Sequence, residues 1–351
     1  MEKSLKKDII INRLPVVIYF ILIFAALMVI ISAVAPMSNH EPKTTDTYSD
    51  FSTGWLNCEE SEASLNHLSG TTVIHRTITA ADCNKTLFFF AKTSNIKVFI
   101  DGVCQYRNNH FCSQFFGKTP GALFVNVLIP AKSDGKLLEI EIENPYKDDD
   151  SAKLDEMYIG DISDIIQFQQ QKRFNSFCIS FIIMVLGVVM LLLFIPLTRQ
   201  KIVGIEFLNL GVTAFVSGLY LTTDGRYLQL VFGDAHIYHV IAETTLRLSI
   251  LPFLIFLSQM YESYSKRISA ILCVIGEIAF AGCFIGEITE IMDYHETLFL
   301  VHVVFAISML FILVSTIKGI VKAPKENIYH NIGCIVLSFM AMTDIIILWR
   351  G

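Results

Sequence analysis

Charged residues are scarce in this 351-residue sequence. They make up 17% of it, whereas apolar residues make up 53%. Soluble globular chains average about 25% charged and about 45–50% apolar residues. Lys and Arg together number 27, against 33 Asp and Glu, and they form no basic stripe. The composition excludes an ordinary soluble enzyme and a disordered scaffold, and the lack of a basic surface argues against a nucleic-acid partner.

The sequence also lacks the short motifs that carry catalysis. It contains no G-x-S-x-G elbow, no phosphate-binding loop and no dinucleotide fingerprint, each of which would place a reactive group or a cofactor at a defined turn. We therefore expect no catalytic residue and no resident cofactor in this chain.

Long apolar runs are what the sequence has instead. A bilayer-spanning helix needs about 20 consecutive apolar residues. The first such run is residues 16–36, which follow a short segment, 1–15. A cleaved signal peptide is the alternative, because Ala33-Val34-Ala35 resembles a cleavage site. Pro36 and the length of the run favour an uncleaved transmembrane anchor. Six further runs lie at 174–197, 202–222, 237–258, 268–285, 298–317 and 328–348.

The connections between these runs alternate in charge. Basic residues recur in every second connection: Arg199, Lys201, Lys266, Arg267, Lys318, Lys322 and Lys325. Because basic loops stay in the cytoplasm, we expect a multi-pass cell-membrane protein with 1–15 inside and 37–173 outside. Lys172 and Arg173 lie on the wrong side, although large translocated domains largely escape the rule. Residues 174–351 then form a six-helix bundle, and we expect a final helix and a cytoplasmic module to follow in the complete protein.

Residues 37–173 contain 19 acidic and 13 basic residues, so the whole net charge of −6 lies in this segment. Leu138, Ile140 and Ile142 alternate with glutamates, which indicates a strand with one buried face. Asp101-Gly102 is the preferred pair for a tight hairpin. The candidate strands are Thr71–Ile78, Thr86–Ala91, Ile96–Ile100, Val103–Arg107, Leu123–Ile129, Leu137–Glu143 and Lys153–Ile159. Seven short strands with turn signals between them predict an extracellular, all-β sandwich.

Four cysteines fall in this segment: Cys58, Cys83, Cys104 and Cys112. An even number outside the membrane permits two disulfides in three possible connectivities. Cys104 and Cys112 flank one loop and are the preferred pair, with four free thiols as the alternative.

Several short motifs, in a fixed order, resemble a known family. They are Val98-Phe99-Ile100-Asp101-Gly102, Gly117-Lys118-Thr119-Pro120-Gly121, Gly135-Lys136-Leu137-Leu138-Glu139-Ile140, Asn144-Pro145-Tyr146 and Thr223-Asp224-Gly225-Arg226-Tyr227. With the order of anchor, sandwich and bundle, they resemble bacterial seven-transmembrane receptors with diverse intracellular signalling modules.

The resemblance implies a jelly-roll, galactose-binding-like sensor domain outside the cell. It also implies a cytoplasmic output domain, often a GGDEF diguanylate cyclase, that brings the protein together as a homodimer. This chain contains neither the GGDEF motif nor a histidine-kinase phosphoacceptor box. The expected function is therefore that of a sensor module that passes an extracellular signal to an output domain.

One loop of the predicted sandwich is rich in aromatic residues. Aromatic faces with nearby polar donors suit a sugar or another small extracellular molecule. The candidate ligand-binding residues are Tyr106, Arg107, Phe111, Phe115 and Phe116. The alternative is a loop that packs its own rings onto the sandwich.

Ionisable residues cluster at the predicted outer mouth of the bundle. Asp234, His236, His239 and Glu243 could hold a divalent metal ion, and Glu287, Glu290, Asp293, His295 and Glu296 lie in the opposite outer loop. The alternative is a structural network in which Glu243 and Arg247, four residues apart, form an ion pair. The metal interpretation would suit a polytopic membrane enzyme or transporter, which is the alternative function.

Overall fold

The computed structural model describes residues 47–108, 118, 121–146, 151–322 and 328–349. The predicted anchor at 16–36 lies outside these residues. The strands are β1 (Tyr48–Asp50), β2 (Leu56–Asn57), β3 (Thr71–Thr77), β4 (Thr86–Lys92), β5 (Asn95–Ile100), β6 (Val103–Arg107), β7 (Ala122–Leu128), β8 (Leu137–Glu143) and β9 (Lys153–Gly160). The helices are α1 (Ile162–Arg199), α2 (Ile205–Asp224), α3 (Tyr227–Phe232), α4 (Ala235–Met260), α5 (Lys266–Ile288), α6 (Leu298–Lys322) and α7 (Ile328–Trp349).

The strands form two antiparallel sheets around one shared core, and we call this unit the sheet domain. Sheet one has the order β1-β9-β4-β7, and sheet two has the order β2-β3-β8-β5-β6. Phe89 of sheet one and Ile140 of sheet two are completely buried in the same apolar cluster. The seven predicted strands are present, whereas β1 and β2 were not predicted. Asp101 and Gly102 both have positive φ, 52° and 74°, as the predicted tight hairpin requires.

Strand β4 is buried on both of its faces. Leu87, Phe89 and Ala91 point into the core between the sheets. Phe88 and Phe90 point the other way and are buried as well, because helices cover the outside of sheet one. An unbroken apolar run in a strand is the sequence signature of burial on both faces.

Cysteine pairing is described for three of the four residues in this domain. Cys58, Cys83 and Cys104 are free thiols. The Cys104 thiol donates a hydrogen bond to the Tyr106 carbonyl oxygen at 3.4 Å. Because Cys104 is a free thiol, the preferred Cys104–Cys112 bridge is absent from the structure, and the alternative of free thiols holds for the three described residues.

The six predicted spans coincide with six long helices. Within the described part of the chain, five of them, α1, α2, α4, α5 and α6, are long and apolar enough to cross a membrane, and α7 carries a shorter apolar stretch, His330–Thr343. Apolar side chains such as Ile278 and Val321 are 68% and 77% exposed on the outside of the helices, where lipid would cover them. These features define a multi-pass membrane protein.

Successive long helices run in opposite directions, so the bundle has two distinct ends. Helices α1, α4 and α6 begin, and α2 and α5 finish, at the end that carries the sheet domain. At the other end the ring of Tyr261 stacks on His330, with centroids 3.6 Å apart. The basic residues of the predicted cytoplasmic connections, such as Lys201 and Lys266, belong to this second end.

Helix α1 begins at Ile162, well before the apolar run that starts at 174. Asp161 caps it, because its carboxylate accepts a hydrogen bond from the backbone N–H of Ser163 at 2.8 Å. The first turns are polar and lie against the sheet domain, so hydropathy alone did not reveal them. One continuous helix of 38 residues thereby joins the sheet domain to the membrane.

Candidate functional site at the junction of the sheet domain and the helices

The loop between α5 and α6 is fastened to the sheet domain. The Asp293 carboxylate accepts hydrogen bonds from the Tyr146 hydroxyl at 2.5 Å and from the Lys118 backbone N–H at 3.2 Å. The Lys118 ammonium forms an ion pair with Glu296. The Tyr146 ring also lies on the His295 imidazole, with centroids 4.3 Å apart. Two residues of the sheet domain thus hold three residues of one helical loop.

The same two carboxylates fix the shape of that loop. The Glu296 N–H donates to Asp293 Oδ1, and the Asp293 N–H donates to Glu296 Oε2, each at 3.0 Å. This reciprocal arrangement is a capping box, which satisfies backbone donors at the start of a helix. Because these hydrogen bonds hold the loop together, a displacement of Tyr146 or Lys118 would be passed on to the start of α6.

Arg247 ties α4 to this loop from the membrane side. Its guanidinium donates to the Glu243 carboxylate at 2.6 Å and to the Tyr294 carbonyl oxygen at 2.7 Å. It also lies over the Tyr294 ring, 4.1 Å from the centroid. The Tyr294 hydroxyl reaches Thr244 of α4 at 3.1 Å. The Glu243–Arg247 ion pair predicted from the spacing is therefore present, and it is one part of a larger network.

A second fastening joins β9 to α1. Glu156 has a φ of 51° and sits where a bulge interrupts the pairing between β4 and β9. Its carboxylate binds Lys172 at 2.8 Å and Arg173 at 2.6 Å. Burial alone would raise the pKa of Glu156, but the hydrogen bonds from Lys172 and Arg173 outweigh burial and hold that pKa below its usual value. Both cations, which break the charge pattern of the sequence, thus pair with one carboxylate of the sheet domain, which offsets one of their two positive charges.

Aromatic and glycine contacts close the rest of the junction. The guanidinium of Arg226, in the connection after α2, lies 4.0 Å from the centroid of Phe90, and that of Arg173 lies 5.0 Å from Phe124. A Cβ atom on Gly121 would be 2.4 Å from Cγ of His239 on α4. Only glycine permits this approach of the sheet domain to the helix.

A cavity of about 290 Å³ remains between the two units. Sheet strands, the start of α1, helix α3 and the start of α4 all contribute to its wall. The described lining residues are Phe88, Tyr106, Leu123, Phe124, Asn126, Ile166, Gln229, Leu230, Gly233, Asp234 and Ala235. A small molecule in this cavity would contact the sheet domain and the helices together.

The structure describes two of the five residues that the sequence grouped as a ligand site. Tyr106 lines the cavity, whereas Arg107 is exposed at the end of the edge strand β6. Phe111, Phe115 and Phe116 lie outside the described residues, so their predicted role stays a prediction.

Three of the four residues of the candidate metal site contact different partners. Asp234 caps α4 through the backbone N–H of Ile237 at 3.3 Å, His239 lies under Gly121, and Glu243 binds Arg247. His236, one turn before His239, does not complete a ligand set. In the part of the chain that the structure describes, no three His, Cys, Asp or Glu side chains come close enough to hold a metal ion. The predicted cluster of Asp234, His236, His239 and Glu243 does not assemble as a metal centre.

The sequence drew attention to Asp293, His295 and Glu296 but did not reveal which residues of the sheet domain they meet. Lys118, Tyr146 and Glu156 meet partners far away in the chain, and no local spacing pairs them. One signal was available: the unbroken apolar run of β4 indicates that something covers the outer face of sheet one.

No protein-family model, no curated protein and no solved structure matches this chain. Its own architecture defines its class, a multi-pass membrane protein whose sheet domain is seated on one end of the helices.

Proposed function

We propose that this chain is the sensory and membrane-spanning part of a receptor, in which the sheet domain lies outside the cell. The junction carries the proposal. Hydrogen bonds and ion pairs from Lys118, Tyr146 and Glu156 fasten the sheet domain to α1 and to the loop before α6. A change in the sheet domain therefore reaches two membrane-spanning helices directly. A ligand shifts such an equilibrium only by its difference in affinity between the two arrangements.

The distribution of charge supports this orientation. The sheet domain and the loop that contains Asp293 share one end of the bundle, and the basic residues Lys201, Lys266 and Lys322 belong to the other. Basic residues favour the cytoplasmic side of a membrane. Lys172 and Arg173 lie near the outer end against this rule, and both pair with Glu156, which offsets one of their two charges.

The order of the strands supports a jelly-roll sensor domain of the kind implied by the family resemblance. From β3 to β9 the chain passes back and forth between the sheets, with the hairpin of β5 and β6 as the one step within a sheet. With β1 of sheet one added, these strands number eight, and eight strands in two sheets characterise the jelly roll. By the same resemblance, the output is a cytoplasmic diguanylate cyclase that acts as a homodimer.

Transmission through the junction can be measured in the whole chain embedded in lipid nanodiscs. Spectroscopic probes at Lys201 and Lys322, which are exposed at the far end of the bundle, report the distance between α1–α2 and α6 there. Lys118→Ala and Tyr146→Phe each remove one fastening and should shift that distance.

Lys136→Ala is the matched control, since Lys136 forms an exposed pair with Asp101 inside the sheet domain. We expect it to leave the distance unchanged. Unchanged distances in Lys118→Ala and Tyr146→Phe, with the protein folded, would overturn the proposed function.

A further inference from the structure

The cavity between the sheet domain and the helices is the place where a small molecule could act on both. On one side it presents the rings of Tyr106 and Phe124, and on the other Leu230 and Asp234. Its volume, about 290 Å³, lies just below the range of about 300–1,000 Å³ that is typical of ligand sites, so only a small molecule would fit. Sites at the boundary between two units are common.

The polar groups of the wall are unequal in charge. Asn126 and Gln229 supply neutral amides, and Tyr106 supplies a hydroxyl. Burial raises the pKa of Tyr106, so this hydroxyl is neutral at physiological pH. Asp234 is the single charged side chain among the described lining residues. The described wall therefore disfavours an anion and favours a cation.

The local backbone fixes where the Asp234 carboxylate is. Gly233 and Asp234 both have positive φ, 75° and 51°, which Asp adopts more readily than most residues do. One carboxylate oxygen accepts the hydrogen bond from the Ile237 N–H at 3.3 Å. Among the described contacts the second oxygen remains available to a ligand.

We propose that this cavity binds a small organic ammonium ion with an apolar or aromatic body. The ammonium group sits on Asp234, and the body lies between Phe124, Tyr106 and Leu230. An ammonium ion suits this wall, because the Asp234 carboxylate attracts a cation and the Tyr106 ring can lie against its apolar body.

This inference rests on the proposed function and gives it a mechanism. The bound molecule bridges β6 and β7 of the sheet domain to α3 and the start of α4. It therefore binds most tightly to the arrangement in which these elements are close, and it stabilises that arrangement.

Calorimetry on the whole chain in nanodiscs of neutral lipid tests the ligand class. The probes are tyramine, its neutral analogue 4-ethylphenol, and galactose. We expect tyramine to bind at least about tenfold more tightly than 4-ethylphenol, and Asp234→Asn to abolish that preference. Asn tolerates the same backbone and retains a capping oxygen, so the change removes charge alone.

Two further variants keep the test decisive. Asp161→Asn changes another helix-capping aspartate, one that does not line the cavity, and should leave tyramine binding unchanged. Leu230→Trp fills the cavity and should abolish binding. The proposal is overturned if galactose binds more tightly than tyramine, if no probe binds, or if Asp234→Asn or Leu230→Trp leaves tyramine binding intact. None of these outcomes affects the distance measured between probes at Lys201 and Lys322. The receptor proposal is therefore tested independently of the ligand proposal.

Discussion

Arg247 is a buried charge within a membrane-spanning helix, and both of its terminal guanidinium nitrogens donate hydrogen bonds to neighbouring residues. It is 4% exposed, and it binds Glu243, the Tyr294 carbonyl oxygen and the Tyr294 ring. Ionisable residues within spans are costly and persist when they are paired inside the bundle. The network therefore has a structural role in the connection between α4 and the loop before α6.

Removing one member of this pair should destabilise the protein. Leaving one charge unpaired in a buried site costs roughly 3–5 kcal/mol, so Glu243→Gln or Arg247→Ala should lower thermal stability and the amount of folded protein in membranes. Changing both to apolar residues of similar volume should restore part of the lost stability, because no unpaired charge then remains. The recovery should be incomplete, because the Tyr294 carbonyl oxygen still lacks its donor. Glu290→Gln is the exposed control.

The competing metal hypothesis gives a different result for the same proteins. Stoichiometric zinc in the purified chain, lost in His239→Ala at unchanged abundance, would contradict the structural network.

Glu156 makes the connection between the sheet domain and α1 sensitive to acid. Its pKa is lowered by Lys172 and Arg173 against the effect of burial, so its ionised form stabilises the folded state. That stability is present above the ordinary glutamate pKa of about 4.3 and is lost as the pH falls through the lower pKa of the folded protein. Thermal unfolding should be measured at a series of pH values. The melting temperature of the wild type should exceed that of Glu156→Gln near neutral pH, and the two melting temperatures should converge in acid.

Glu59→Gln, at an exposed glutamate of the same domain, should show no such convergence. A difference between wild type and Glu156→Gln that stays constant down to about pH 3 would refute the role of this carboxylate.

At the scale of elements, α1 and α2 form a close pair that depends on glycine. A Cβ on Gly187 would lie 2.3 Å from the backbone nitrogen of Phe215, and one on Gly218 would lie 2.4 Å from that of Met184. Small residues let helix backbones approach and pack in membranes. Each helix of the pair places its glycine against the backbone of the other.

Gly218→Ala should therefore destabilise the protein, although alanine is intrinsically the better helix former by about 1 kcal/mol. Gly282→Ala in α5, where a Cβ would meet nothing within 4 Å, should be neutral or stabilising. Thermal unfolding of the two variants in the same nanodiscs gives the comparison. Equal stability of Gly218→Ala and wild type would mean that α1 and α2 separate without cost.

The elements were predictable to the extent that their signals are local. The alternation in β8, the Asp101-Gly102 hairpin and the apolar runs of the six long helices each depend on neighbours in sequence. The Glu243–Arg247 pair was predictable for the same reason. Tyr146 and Asp293 are 147 positions apart, and their contact depends on how the sheet domain is placed on the helices. Helix α3 is too short, and the first turns of α1 too polar, to show in hydropathy.

At the scale of the whole molecule, a sheet domain covers one end of a bundle of alternating helices. The fastenings at Asp293, Glu296, Arg173 and His239 all lie at that end. Basic residues gather at the other end, so one face of the membrane would meet the sheet domain and the other the basic connections. The receptor proposal requires that the first face is the outside of the cell.

Reporter fusions test this orientation most directly. Reporters that distinguish cytoplasm from exterior are fused after Lys266 and Lys322 at the basic end, and after Gly225 and Tyr294 at the end that holds the sheet domain. The account predicts cytoplasmic signals from the first two and exterior signals from the last two. The reverse pattern would place the sheet domain in the cytoplasm and would contradict the proposal that it senses an extracellular molecule.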